Sequence, residues 1–236
     1  MKVTLAPSTL RGHLSIISSK SLSHRYVIAA GLAEGTSHLE NILDADDLAY
    51  TKKALEVFNV KIDGKKITGG HFKKMNDTID CGESGSTLRF MIPIGLLQKE
   101  SITFTGRNRL VERPLDVYMD LFKTKRIKYS HPEQQSLPLT IQGKLRPGYY
   151  HVLGNVSSQF ITGLLFALPL LEKDSVIEHT TPLESKGYID LTLDVLTNFG
   201  IHVLYVEPYF YIKGNQKYTP GDFKIEGDFS QAAFWF

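Results

Sequence analysis

Apolar and polar positions follow one another along the chain in blocks that recur. Three stretches align without gaps: Leu32-Ala33-Glu34-Gly35-Thr36-Ser37-His38-Leu39, Leu96-Leu97-Gln98-Lys99-Glu100-Ser101-Ile102-Thr103 and Leu170-Leu171-Glu172-Lys173-Asp174-Ser175-Val176-Ile177. Each reads as the end of an apolar helix, a polar turn and the start of a strand. Their serines lie 64 and 74 residues apart. A second set of landmarks keeps step at 55–62, 121–129 and 196–203, where an amphipathic helix ends in a polar or Gly turn and a β-rich run begins. Such self-similarity marks a repeated supersecondary unit.

Within each unit an apolar helix follows a Ser-rich turn. It carries small residues, Ala29, Ala30 and Gly31 in the first copy, and is expected to be buried. The second helix is more polar, with apolar positions three and four apart over 48–58, as suits a helix with one face in water. Asp46 and Asp47 precede it and Pro114 opens its counterpart in the second unit, both helix-start signals. Asp63-Gly64 marks a tight hairpin within 60–67. The predicted unit is strand, helix, strand, helix, strand, strand, and the predicted fold class is α/β, with three such units over residues 14–226.

Serines 21, 84 and 157, spaced by 63 and 73, are expected to open the buried helices, and Ser230 lies 73 further on. A fourth unit is therefore expected to begin. Its helix ends on Phe234, Trp235 and Phe236, whose apolar surface would have no core to enter, so the expectation is a fragment of a longer protein.

Composition narrows the function classes. The 236 residues carry 27 Lys+Arg against 25 Asp+Glu, a formal charge of +2, which offers little electrostatic footprint for a nucleic acid. The single cysteine, Cys81, excludes an internal disulfide and a multi-cysteine metal site; it reads as a small buried apolar residue. The longest apolar stretch, 160–171, is interrupted by Thr162, Gly163 and Pro169 and falls short of the ~20 residues of a membrane span. Residues 1–5 lack the features of a signal peptide. A cytoplasmic protein with no nucleic-acid or membrane partner is expected, and His13, His38, His151 and His202 show no metal-ligand spacing.

Candidate chemistry collects at helix N-termini, where unpaired N–H groups and the helix dipole favour anions. Ser18-Ser19-Lys20-Ser21-Leu22-Ser23-His24-Arg25 adds cations and hydroxyls to the first such end. Gly82-Glu83-Ser84-Gly85-Ser86-Thr87-Leu88-Arg89 repeats the arrangement, with Gly85 open to close approach, and Asn155-Val156-Ser157-Ser158-Gln159 does so again. One such turn is also explained by serine as an ordinary N-cap. Three in equivalent places are expected to converge, and together point to a small polyanion. A basic stretch, Arg107-Asn108-Arg109-Leu110-Val111-Glu112-Arg113-Pro114, and Glu184-Ser185-Lys186-Gly187-Tyr188 occupy equivalent strand-to-helix turns.

These motifs resemble the N-terminal half, and slightly more, of the EPSP synthase (3-phosphoshikimate 1-carboxyvinyltransferase) family of enolpyruvyl transferases. The matching segments are 20–25, 82–89, 112–114, 156–160, 185–190 and 226–228, in order and at the expected separations. The chain departs from the family pattern at Ile17-Ser18-Ser19, where Pro-Gly or Pro-Pro is usual, and at Glu83, where Asn is common.

The resemblance implies an inside-out α/β domain of three repeats, with substrate in a cleft against a second domain. Residues 1–13 would cross to that domain, 226–228 would be the returning hinge, and 227–236 would begin the second domain. It also implies a reaction in which the 5-hydroxyl of shikimate 3-phosphate attacks phosphoenolpyruvate. Carried over by motif, Ser21 and Arg25 would hold the shikimate carboxylate, and Ser157, Ser158 and Ser185 its phosphate, with Gln159 and Tyr188 nearby. Lys20, Gly85 and Arg113, with Gln159, would hold phosphoenolpyruvate. Lys20 would also approach the reacting hydroxyl on shikimate 3-phosphate and is the one candidate catalytic residue. No cofactor or metal is implied, the full-length protein would be a monomer, and this chain alone would be inactive. Two alternatives stand beside this reading: UDP-N-acetylglucosamine enolpyruvyl transferase, disfavoured by the absence of cysteine in 107–114, and a non-catalytic module for RNA ends or a nucleotide.

Overall fold

The computed structural model describes Thr4 and residues 11–235. The first unit contains α1 (Lys20–Leu32), β1 (Thr36–Glu40), α2 (Asp46–Glu56), β2 (Lys61–Asp63) and β3 (Lys66–Thr68). The second runs β4 (Thr78–Asp80), α3 (Gly85–Gly95), β5 (Ile102–Thr105), α4 (Asp116–Lys125), β6 (Lys128–Ser130) and β7 (Leu139–Gln142). In the third come β8 (Gly148–Val152), α5 (Ser158–Ala167), β9 (Ser175–His179), α6 (Lys186–Asn198), β10 (Val203–Val206) and β11 (Tyr209–Ile212). They are followed by β12 (Asp222–Lys224) and α7 (Phe229–Ala232).

Each unit builds one four-stranded sheet of the same design, ordered β12-β1-β3-β2, β4-β5-β7-β6 and β8-β9-β11-β10. A leading strand pairs parallel with the next, and the closing hairpin adds antiparallel. The first unit differs from the predicted order in one respect. Among the described residues no strand precedes α1; the leading place is taken by β12, with Leu39 opposite Phe223. An unpaired β1 edge would leave backbone groups without partners, and the chain returning from the third unit supplies them. The same return brings Ser19 N–H to Glu226 O at 2.9 Å and Asp228 N–H to Ile17 O at 2.8 Å. Residues 1–13, expected to cross to a second domain, lie mostly outside the described residues.

The apolar helices α1, α3 and α5 are buried as expected, and α3 packs directly on α5 while α1 packs on α2 and α6. Each of the three amphipathic helices sets one hydroxyl between two of the buried ones. Thr51 Oγ1 of α2 lies 2.8 Å from His24 Nδ1 and 2.7 Å from Thr87 Oγ1. Tyr118 Oη of α4 reaches Arg89 O at 2.6 Å and Phe160 O at 3.1 Å. Thr192 Oγ1 of α6 accepts from Arg25 Nε at 2.8 Å and lies 3.0 Å from Thr162 Oγ1. Close approach of α3 and α5 depends on Gly163, where a Cβ would fall 2.5 Å from both Arg89 O and Tyr118 Oη.

Two of the expected helix starts shift. Ser84 and Ser157 are N-caps, but α1 is capped by Ser19, whose Oγ accepts from Leu22 N at 3.3 Å, so Ser21 lies inside the first turn. The bond from Ser19 N–H to Glu226 O fixes where the extended chain turns into α1 and so selects the cap among neighbouring serines. Likewise Asp228, not Ser230, caps α7. Among the described residues, no helix is long and apolar enough to cross a membrane.

Candidate active site

The N-termini of α1, α3, α5 and α6 open on one cleft of about 410 Å³. All ten residues singled out from the sequence line it: Lys20, Ser21, Arg25, Gly85, Arg113, Ser157, Ser158, Gln159, Ser185 and Tyr188. They come from all three units, as convergence of the repeated turns requires. Asp47, Glu83, Ser86, Phe90 and Glu184 join them.

Arg25 is the most constrained of the group. It is 3% exposed and donates Nε–H to Thr192 Oγ1 at 2.8 Å, Nη1–H to Ser21 O at 2.8 Å and Nη2–H to Tyr188 O at 2.9 Å. Its guanidinium lies 5.4 Å from the Phe90 ring centroid and 5.9 Å from that of Tyr188. Among the described residues no carboxylate forms an ion pair with it. Burial lowers its pKa to about 10, so it is charged at neutral pH. Three of its five N–H groups are spent on neutral oxygens. A buried charge with no counter-ion carries a desolvation cost that an anionic ligand would offset.

Its neighbour His24 is 1% exposed, with Nδ1 on Thr51 and Nε2 buried without a partner among the described residues. Burial lowers its pKa from 6.5 to about 3, so the imidazole is neutral and adds no charge to the site.

The cleft holds three cations, Lys20, Arg25 and Arg113, and three carboxylates, Asp47, Glu83 and Glu184. Formal charges of the two signs balance in number, and they differ in placement. Lys20 Nζ meets Asp47 Oδ2 at 3.0 Å on the surface, and Glu83 Oε1 accepts from Asn108 Nδ2 at 2.8 Å. Arg25 and the helix N-termini face the interior. Ser185 is held in the left-handed region at φ 57, and its hydroxyl caps nothing in α6.

Gly85 carries the α3 N-terminus beneath Arg113, whose Nη1 would lie 2.6 Å from a Cβ at that position. Of the basic stretch 107–114, only Arg113 lines the cleft. Arg107 is drawn away to the Tyr50 hydroxyl and ring, and Glu112 forms no ion pair among the described residues. Cys81 is fully buried, and burial raises its thiol pKa, as fits a packing residue.

The sequence reading missed Asp47 as the partner of Lys20, 27 positions away. It also assigned nothing to Ser86 or Arg89, although both stand in the motif that supplied Gly85.

The model of the EPSP synthase (3-phosphoshikimate 1-carboxyvinyltransferase) family matches residues 5–236. The chain belongs to the EPSP synthase family. It is 48% identical over 250 residues to a 3-phosphoshikimate 1-carboxyvinyltransferase of Clostridium novyi, covering 99% of this chain and 57% of the relative. A protein of the same description from Clostridium kluyveri is 50% identical over 243 residues, with 99% and 56% covered. The chain thus spans little more than half the length of these family members. Among solved structures, an EPSP synthase from Acinetobacter baumannii superposes with a TM-score of 0.83 at 24% identity, over 95% of this chain and 52% of that one. That likeness bears on the three-unit fold, which it matches.

Proposed function

We propose that these residues form the shikimate 3-phosphate side of the active site of a 3-phosphoshikimate 1-carboxyvinyltransferase. The single observation that carries the reading is Arg25, a buried guanidinium without a counter-ion among the described residues, at the meeting point of serine-headed helix N-termini. In the reaction the 5-hydroxyl oxygen adds to the central carbon of phosphoenolpyruvate and loses its proton, while the methylene carbon gains one. Phosphate then leaves the tetrahedral adduct, and loss of a methyl proton restores the double bond of the enolpyruvyl ether.

Both substrates are polyanions, so fixed cations and N–H groups must offset their repulsion while holding near-attack geometry. Ser21 and Arg25 bind the carboxylate of shikimate 3-phosphate. Ser157, Ser158 and Ser185 bind its phosphate, with Gln159 and Tyr188 nearby. Lys20, Gly85, Arg113 and Gln159 meet phosphoenolpyruvate, and Lys20 is the catalytic residue nearest the reacting hydroxyl. The groups that move protons to and from carbon lie outside residues 1–236, so this chain alone releases no phosphate.

The two chain crossings beside α1, bonded through Ser19, Glu226 and Asp228, support reading 14–226 as one domain and 227–236 as the hinge and start of another. The whole protein acts as a cytoplasmic monomer. Titration of the chain with shikimate 3-phosphate, shikimate and a short RNA tests the reading. Saturable binding of shikimate 3-phosphate, much weaker binding of shikimate and none of RNA are expected; equal affinity for shikimate and its phosphate would overturn the assignment of the serines.

A further inference from the structure

Arg89 has no part in the reading above, and it sits behind the cleft wall. Its Nη1 donates to Gln159 Oε1 at 2.7 Å, and Gln159 Nε2 donates to Ser86 Oγ at 2.9 Å. Arginine has only donors, so this pairing determines the orientation of the amide. The oxygen of Gln159 is taken by Arg89 and its NH2 is turned toward Ser86, which lines the same cleft as Gln159.

The guanidinium is only partly satisfied at this place. The Arg89 guanidinium lies 5.0 Å from the Phe160 ring centroid, and its Nε is buried with no partner among the described residues. Burial lowers its pKa, and Arg113 adds to the effect. A methionine would occupy the same space beside Phe160 without an unsatisfied donor. Buried polar groups left unpaired are rare, and they concentrate where a side chain serves something other than stability.

We infer that Arg89 is a positioning residue: by holding Oε1 of Gln159 it presents the Gln159 NH2 as a fixed donor to an anion in the cleft. The inference rests on the cleft being a ligand site, and its first test is independent of any ligand. The side-chain amide signals of Gln159 in a 15N-labelled sample report the orientation directly. In Arg89→Met the backbone spectrum and melting temperature should be retained, the latter equal or higher. The Gln159 amide protons should move toward free-glutamine shifts and exchange faster with water. Arg89→Lys, which keeps a charged donor, should restore the Gln159 signals in part.

The second test is a double-mutant cycle read by shikimate 3-phosphate titration. Arg89→Met should weaken binding about fivefold, and Arg89→Met with Gln159→Leu should bind no more weakly than Gln159→Leu alone. Unchanged Gln159 signals in Arg89→Met, additive losses in the cycle, or an Arg89→Met chain that no longer folds would each overturn the inference. Moved amide signals in a chain that binds no shikimate 3-phosphate would sustain the positioning role and remove the ligand assignment instead.

Discussion

Arg25 and Thr192, 167 positions apart, share a hydrogen bond of 2.8 Å that ties the first buried helix to the last amphipathic one. The same hydroxyl donates to Tyr188 O at 2.8 Å, so a single threonine orients both the guanidinium and the first turn of α6. Replacing Thr192 with valine keeps the shape and removes the acceptor. Hydrogen bonds to charged groups contribute about 1.5–3 kcal/mol, and urea unfolding of Thr192→Val should show a loss of that order. A change below about 0.5 kcal/mol, the range of neutral surface substitutions, would mean that Arg25 is held by its other contacts.

His24 makes stability depend on pH in a defined direction. Its folded pKa of about 3 lies below the ordinary 6.5, so between these values the unfolded chain binds a proton that the folded chain does not. The contribution is complete above about pH 6.5 and is lost as pH falls toward 3, at up to ~1.4 kcal/mol per pH unit. His24→Leu should flatten the stability curve over that window relative to the parent chain. Parallel curves for the two chains would show that His24 protonates without opening the core.

Much of this architecture is written in the chain because it is written three times. The recurrence of 32–39, 96–103 and 170–177 exposes the units, and small residues such as Ala29, Ala30 and Gly31 mark the buried helices. Asp63-Gly64 locates its hairpin for a local reason, since Gly64 adopts φ 55. What escapes a linear reading is non-local. The pairing of β12 with β1 joins short strands from opposite ends of the domain. Ser19 is chosen over Ser21 as the cap by a bond to Glu226. Asp47 meets Lys20 only because α1 and α2 lie side by side. Most of the cleft residues were legible as a group because they stand at repeated helix N-termini, and Arg113 was legible from its basic stretch before α4. Arg89 was not, because its partner Gln159 belongs to the next unit.

Gly163 couples packing to the site. A Cβ there would fall 2.5 Å from Arg89 O and Tyr118 Oη, and neither the backbone nor the fully buried Tyr118 can give way cheaply. Gly163→Ala should destabilise the chain by about 1–3 kcal/mol, as overpacking does. By spreading α3 from α5 it should also weaken shikimate 3-phosphate binding. Full affinity in a destabilised Gly163→Ala chain would show that the cleft tolerates movement between these helices.

The central claim is a division of labour within one cleft, with Arg25 serving shikimate 3-phosphate and Arg113 serving phosphoenolpyruvate. Calorimetric titration of shikimate 3-phosphate into the parent chain, Arg25→Ala and Arg113→Ala tests it most directly, with melting temperatures confirming that each variant is folded. A charged hydrogen bond of about 1.5–3 kcal/mol corresponds to roughly tenfold or more in affinity. The account predicts a loss of at least about tenfold for Arg25→Ala and nearly unchanged binding for Arg113→Ala. Equal losses in the two folded variants would contradict it.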